Sequence, residues 1–466
     1  MATVDDDFIM VDSTHVQGHP DHLTSISAYI DQVKCQLRTA ISLPIHDNPE
    51  LQYKEYLAHH ILTDFMKQQQ GWKVTPSAYE IDTAFVAVYD GSRKGPTVSF
   101  NAEYGKKQVG TIILGLCSNT GKDALVGIGH ACGHNLIAVT SVAGALATAH
   151  MIDREKLSGK VVLFGTPAEG AYKDHNVDIS LISHSGISPD AALVRTAAYS
   201  AMEVEYFGKE AHAAARPWDG IRHLHTINAL DALITAYNAI SVLRQQTESG
   251  DIIQGSHVPD SLHRKLCLTR VKGMIANGGA RPNIIHAYSS GKFVVRSSSR
   301  ARLEALKKRV YACFEAGALA TGATLKLTPG GSYNDHMPNR TLAKSYRANF
   351  NRLGGTIPRE DIDIISSATM ASTDQGNISY AIPSISPNCW IRSEDETGKQ
   401  LGGPHTPDFE KAARTEEAHE LAMRVAKGLA ATAVDILTTP TFLEEVRREF
   451  ADMKRSHDFA MDAVVV

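Results

Sequence analysis

Chemistry is concentrated in one glycine-rich stretch, Gly127-Ile128-Gly129-His130-Ala131-Cys132-Gly133-His134-Asn135, just ahead of a helix. Cys132 and His134 stand two residues apart, so in extended backbone both side chains face one point. Thiolate with imidazole is a donor set for a borderline metal such as zinc. A buried cysteine beside satisfied histidines is the plainer alternative, yet three such side chains within five residues favour ligation. The glycines do not make a phosphate loop, because neither G-x-G-x-x-G nor G-x-x-x-x-G-K-[ST] occurs.

Three more segments carry candidate groups. Pro167-Ala168-Glu169-Gly170 follows the apolar run 161–165. A carboxylate at the C-terminal end of a strand sits where open α/β sheets place their sites. Alone, Glu169 reads as a surface loop residue; beside a metal it becomes a general base for water. His212 stands among alanines after Gly208-Lys209-Glu210 and, taken alone, reads as a tolerated histidine near a helix start. His405 lies in the rigid loop Gly402-Gly403-Pro404-His405-Thr406-Pro407. Neither H-E-x-x-H nor G-x-S-x-G occurs, which disfavours a zincin and a nucleophile-elbow hydrolase.

The elements that must position these groups follow from periodicity. Residues 24–42 predict an amphipathic helix ended by Pro44, and 51–69 a second one stopped at Gly71. Strands are expected at 84–89, 97–101 and 161–165, with a small-residue helix over 134–150. Strands alternating with helices argue for a mostly parallel sheet covered on both faces. The pattern changes after about residue 200: strands at 202–207, 292–297 and 324–328 accompany helices at 221–245 and 302–320. The polar stretch 247–265 reads as a surface loop, and the basic run 296–309 as the solvated face of a helix. After Pro329-Gly330-Gly331 the α/β style resumes, with a last helix over about 414–437 before Pro440. The expected fold is therefore an α/β domain formed by 1–200 and 330–466, interrupted by an α+β unit at 201–329.

Composition sets the outer bounds. The chain has 466 residues, 43% hydrophobic and 21% charged, which is ordinary for a globular protein. Lys plus Arg is 47 against 51 Asp plus Glu, a net of −4, so nucleic acid is not expected as a partner. Six cysteines in so long a chain make no disulfide framework and fit a reducing compartment. The acidic start, MATVDDDFIMVD, lacks an apolar signal core, and no uninterrupted apolar run reaches membrane length. A cytoplasmic protein without a membrane partner is the expectation.

Taken together, the motifs resemble the zinc-dependent aminoacylase and carboxypeptidase metallopeptidase family, in its amidohydrolase branch of β-alanyl-lysine-type dipeptidases and auxin-conjugate hydrolases. The matching stretches begin with His46-Asp47-Asn48-Pro49-Glu50-Leu51, Ala102-Glu103-Tyr104, Gly129 to Asn135, and Pro167-Ala168-Glu169. They continue with Gly208 to His212, Asn277 to Ile285, Ser372 to Asn377, and His405, in the family's order over nearly the whole chain. The resemblance implies a metal-binding α/β domain carrying a lid at 201–329 that forms homodimers. By position, Cys132, His134 and His405 match metal ligands and Glu169 the general base. His212 matches a lid histidine that polarises the scissile carbonyl, and Asn283 and Arg296 match positions that grip the substrate.

The departures are specific. A second Glu, a ligand in relatives, is replaced by Gly170, and a ligand His before the lid is replaced by Thr196. Residues 106–122 are inserted between Tyr104-Gly105 and Asp123-Ala124-Leu125. Asp174, His175 and His184 are the groups nearby that could substitute. The implied cofactor is zinc or manganese, as one ion or, given these losses, none.

Three functions follow. The first is hydrolysis of an amide in a small N-acyl amino acid or dipeptide by a single-metal centre, which needs three protein ligands and an open position. The second is a repurposed, metal-independent acid/base enzyme for condensation, cyclisation or elimination, using Glu169 and His212. The third is a non-catalytic scaffold, which leaves the set of Cys132, His134, Glu169, His212 and His405 without a purpose.

Overall fold

The computed structural model describes residues 22–50, 54–104, 132–165, 174–213, 226–243, 246–247, 252–254 and 273–465. Helix α1 (His22–Leu37) buries Leu23, Ile26, Ile30 and Leu37 at the spacing expected of one helical face. Wholly buried, Ile26 and Ile30 each contribute on the order of 1.5–3 kcal/mol. The chain does not stop at Pro44. It passes through a π-helical turn, Arg38–Ser42, into α2 (Leu43–Asp47), where Pro44 occupies the first turn and its missing N–H is no loss. Helix α3 (Tyr56–Lys67) leads to β1 (Trp72–Pro76), β2 (Phe85–Asp90) and β3 (Thr97–Ala102).

Helix α4 (His134–Glu155) then precedes β4 (Lys160–Gly165), β5 (Ile179–Leu181) and β6 (His184–Gly186). Among the described residues α4 is the helix long and apolar enough to cross a membrane, but 94% of its apolar window is buried inside the protein. Its small side chains allow that burial: a Cβ on Gly144 would lie 2.6 Å from the Phe100 ring.

The chain continues through β7 (Ala198–Phe207), β8 (Ala211–His212), α5 (Ala229–Leu243), β9 (Ile252–Gln254), β10 (Gly273–Asn277) and β11 (Ile284–Ile285). It goes on with β12 (Tyr288–Ser297), α6 (Arg300–Thr321) and β13 (Thr324–Tyr333). Next come α7 (Arg340–Arg352), α8 (Glu360–Ser366), α9 (Gln375–Ser379), β14 (Ser384–Ile385) and β15 (Asn388–Trp390). Three helices close it: α10 (Pro407–Ala413), α11 (Glu416–Thr438) and α12 (Pro440–Val465).

The central sheet runs β1-β2-β4-β3-β5-β14. Strands β4, β3, β5 and β14 are parallel neighbours, while β1 and β2 are antiparallel additions at one edge. Val98, Phe100 and Leu163 share one apolar core with α1, α4 and α11, whereas Val86, Val162 and Phe164 meet Ile378 of α9. Both faces are thus covered by helices, the mixed α/β class expected from the sequence.

A second sheet, β10-β12-β7-β13 with β9 also on β12, is antiparallel throughout. It shares a separate core with α5 and α6, around Phe293, Phe314, Tyr206 and Leu233. Three local expectations are corrected here. Part of the polar stretch 247–265 forms β9, because Ile252–Gln254 pair with Val294–Arg296. The basic run 296–309 is not one helical face: Arg296 lies in β12, and α6 starts only after Ser299, whose side chain accepts from Arg302 N–H. Pro440 does not end the helical structure but opens α12, which lies on α7 and α11 and reaches α6.

Two buried polar clusters tie the chain where it enters and leaves the second sheet. The Asp363 carboxylate accepts from Arg347 Nη2 at 2.8 Å and from the backbone N–H groups of Ala192 and Leu193 at 3.2 Å each. His336 donates through Nδ1 to Val194 O at 2.9 Å, and its backbone N–H donates to Thr196 Oγ1 at 3.2 Å. Burial lowers the His336 pKa from 6.5 to about 4. The unfolded chain therefore takes up a proton near 6.5 that the folded chain refuses until about 4. The stability from this group is complete above 6.5 and is lost as pH falls. Acidification from pH 7 to 5 is expected to cost about 2 kcal/mol at this residue. Denaturant titrations of wild type and His336→Gln at both pH values check it; an equal pH dependence in the two proteins refutes it.

Candidate metal centre

Cys132 and His134 flank Gly133 at the start of α4. Gly133 has φ +73, and a Cβ there would lie 2.6 Å from Ser185 Oγ and 2.9 Å from Ile391 Cδ1. Glycine is favoured at that left-handed φ and has no Cβ to obstruct that approach. The close contact seats the turn against β6: Ser185 Oγ donates to Cys132 O at 2.5 Å. Since β6 begins at His184, the same contact brings a third donor to the pair. The ligating atoms of Cys132, His134 and His184 all lie within 4.8 Å of one another. The two rings are nearly perpendicular, at 81°, with centroids 6.0 Å apart.

His184 Nδ1 is 2.9 Å from Ser185 O, a carbonyl that can only accept, so Nδ1 carries the proton. Nε2 is left with its lone pair. A ligating histidine commonly has this arrangement, its second nitrogen held by a carbonyl. Cys132 and His134 are buried and His184 is half-buried. One thiol and two imidazoles at this spacing suit zinc, so the residues fit the group that the motifs imply.

His405 is not among the donors of the 4.8 Å group, although the charge of His184 acts on it. Its φ is +75, a left-handed conformation uncommon outside glycine. Surrounding protein lowers its proton affinity and the charges of His184 and Arg296 add to this, yet the residue is exposed at the surface. Arg296 comes from β12 of the second sheet. It donates through Nη1 to Met370 O at 2.7 Å and Ser372 Oγ at 3.2 Å, and lies over the Tyr199 ring at 4.9 Å. Burial is the cause of its lowered pKa.

The other candidates fall elsewhere. His212 and Asn283 are brought together, since His212 pairs with Ile284 across the β8–β11 ladder and Ala213 N–H donates to Asn283 O at 3.0 Å. Both are exposed. Glu169 and Gly170 lie outside the described residues. Thr196 is buried with its hydroxyl accepting from His336, so it serves the chain crossing. Of the three possible substitutes, His175 sits edge-on against Phe164 at 5.8 Å, Asp174 influences Tyr79, and His184 alone joins Cys132 and His134. Sequence reasoning named His184 only as one possibility, because no motif surrounds it.

No family model matches the chain. It is 35% identical over 437 residues to the Xaa-Arg dipeptidase of Homo sapiens, covering 88% of each protein. It is 23% identical to a p-aminobenzoyl-glutamate hydrolase chain of Escherichia coli (strain K12), covering 89% of this chain and 92% of that one. Among solved structures, a dinuclear metal-binding peptidase of the M20 family from Bacillus subtilis superposes with a TM-score of 0.55. That match has 16% identity and covers 88% of this chain and 99% of the other. With a third of its residues shared over most of both lengths, and the family's motifs in order, the chain belongs to the metallopeptidase and amidohydrolase family and is a hydrolase of the dipeptidase and amidohydrolase type.

Proposed function

We propose that this hydrolase cleaves the amide bond of a small N-acyl amino acid or dipeptide at a centre holding a single metal ion, zinc or manganese. The observation that carries the reading is the convergence of Cys132, His134 and His184 within 4.8 Å. These three residues would hold the ion, with His405 as the adjacent imidazole. When bound, such an ion supplies Lewis-acid chemistry that makes water a nucleophile near neutral pH.

The protein's own groups divide the remaining work. Ser185 O holds the Nδ1 proton of His184 and so fixes its tautomer. Glu169 takes the proton of the attacking water and passes it to the leaving amine. His212 donates to the oxyanion as it forms, and Asn283, next to the Ile284 that pairs with His212, orients the substrate amide. Arg296 binds the substrate carboxylate: Nη1 is spent on Met370 and Ser372, but Nε–H is buried and has no hydrogen-bond partner among the described residues. A buried donor in that state is stabilised by an incoming acceptor.

The segment 201–329 acts as the lid and as the surface of a homodimer, in a cytoplasmic protein. Ile234 and Val242 of α5, Ile275 of β10 and Leu319 of α6 are exposed apolar side chains that a second copy would cover. Among the described residues Cys35, Cys313 and Cys389 are free thiols, which suits a reducing compartment.

The test combines elemental analysis of protein purified without chelator with turnover of a panel of dipeptides and N-acyl amino acids. One ion per chain, with turnover lost on chelation and restored by zinc or manganese, is the expected result. Full turnover by metal-free protein would overturn it in favour of acid/base chemistry by Glu169 and His212. Light scattering at micromolar concentration should give twice the chain mass; a monomer refutes the dimer.

A further inference from the structure

The placement of His405 raises a separate question, because the element that carries it cannot hold itself in place. His405 precedes Thr406, the N-cap of α10, whose seven residues are too few for a helix stable on its own. Thr406 caps that helix, its Oγ1 accepting from Phe409 N–H at 3.3 Å and donating to Gly403 O at 2.7 Å, so loop and helix move as one piece. What fixes the piece is a set of buried bonds from elsewhere.

Asn135, next to His134 and fully buried, donates through Nδ2 to Ala413 O at 3.2 Å and to Ser42 Oγ at 3.0 Å. Ser42 closes the π-helical turn, and such turns are common at functional positions. From α2 the buried His46 ring reaches Glu410 O through Nε2 at 3.0 Å and Asp47 Oδ1 through Nδ1 at 3.0 Å. Asp47 in turn receives Arg414 in two parallel bonds of 2.8 Å each.

We infer that Asn135 and His46 are positioning residues that hold the His405 loop in register with Cys132, His134 and His184. Asn135 shares the first turn of α4 with His134, so its bond to Ala413 measures the loop against the ligand pair directly. His46 sets the same helix from α2. This inference rests on the reading of His405 as part of the metal centre.

The experiment adds cobalt(II) to metal-free full-length Asn135→Ala, His46→Ala, His46→Gln and His405→Ala proteins and records their visible absorption. Hydrogen exchange of residues 402–413 is followed alongside. Wild-type and His405→Ala spectra should differ, and Asn135→Ala and His46→Ala should shift toward the latter. Their cobalt affinity should fall about 10–100-fold, as for loss of a group that orients a ligand. Exchange in 402–413 should quicken at least tenfold, and His46→Gln, which keeps an N–H for Glu410 O, should recover most of the spectrum. Wild-type spectra and affinity in both alanine variants, with only the melting temperature lowered, would overturn the inference. An unchanged spectrum in His405→Ala would instead sink the reading beneath it, and the inference with it. If an alanine variant does not fold, a wild-type spectrum in both the other alanine variant and His46→Gln is the overturning result.

Discussion

Replacing His184 with alanine is expected to lower zinc affinity by more than 100-fold and to remove turnover in proportion. The size follows from the geometry. His184 is one of three donors within 4.8 Å, and its tautomer is already set by Ser185 O. Residues that only orient a ligand cost about 10–100-fold in metal affinity or activity, so loss of a ligand exceeds that range. Two donors cannot replace three, and the departures at Gly170 and Thr196 leave fewer groups in reserve. Metal content after dialysis against a weak chelator, with turnover measured on the same samples, decides the matter. Stoichiometric zinc of unchanged affinity in His184→Ala would show that the cluster is a packing arrangement.

The second large effect is on stability. Asp363→Ala removes a carboxylate with no exposed side-chain surface, paired with Arg347, which is 14% exposed. The substitution strands the guanidinium and two backbone donors, Ala192 and Leu193, in the interior. Breaking a buried pair from one side costs about 3–5 kcal/mol. The urea midpoint should fall accordingly, and Asp363→Asn should lose less because it still accepts from the backbone. A loss in Asp363→Ala below about 1 kcal/mol, the range of exposed pairs, would contradict this account.

Much of the fold could be read from spacing. Ile26 and Ile30 recur on one helical face, and the apolar run at 161–165 is a buried strand. Cys132 and His134 were legible because their chemistry is compressed into a few residues. His184 was not, because what places it is a pairing between segments far apart in the chain: β6 lies beside β15, with His184 opposite Asn388. Periodicity reports which face of an element is covered, never which distant strand end it meets. Thr196 looked like a gap in a ligand set, but its hydroxyl has a structural task that only the position of His336 reveals. Pro440 misled for a simpler reason. The same ring that ends one helix is welcome in the first turn of the next.

The pairing of β5 with β14 and of β6 with β15 also governs how the protein comes into being. Ser180 meets Ser384 and His184 meets Asn388, so both ladders join segments made about two hundred residues apart. A nascent chain therefore carries an unfinished sheet edge at β5 and β6 until β14 and β15 have been made. Such edges are sticky and slow to close. The β6 end that carries His184 is therefore completed only when this distant segment arrives, and heterologous production should gain from chaperones and slow synthesis.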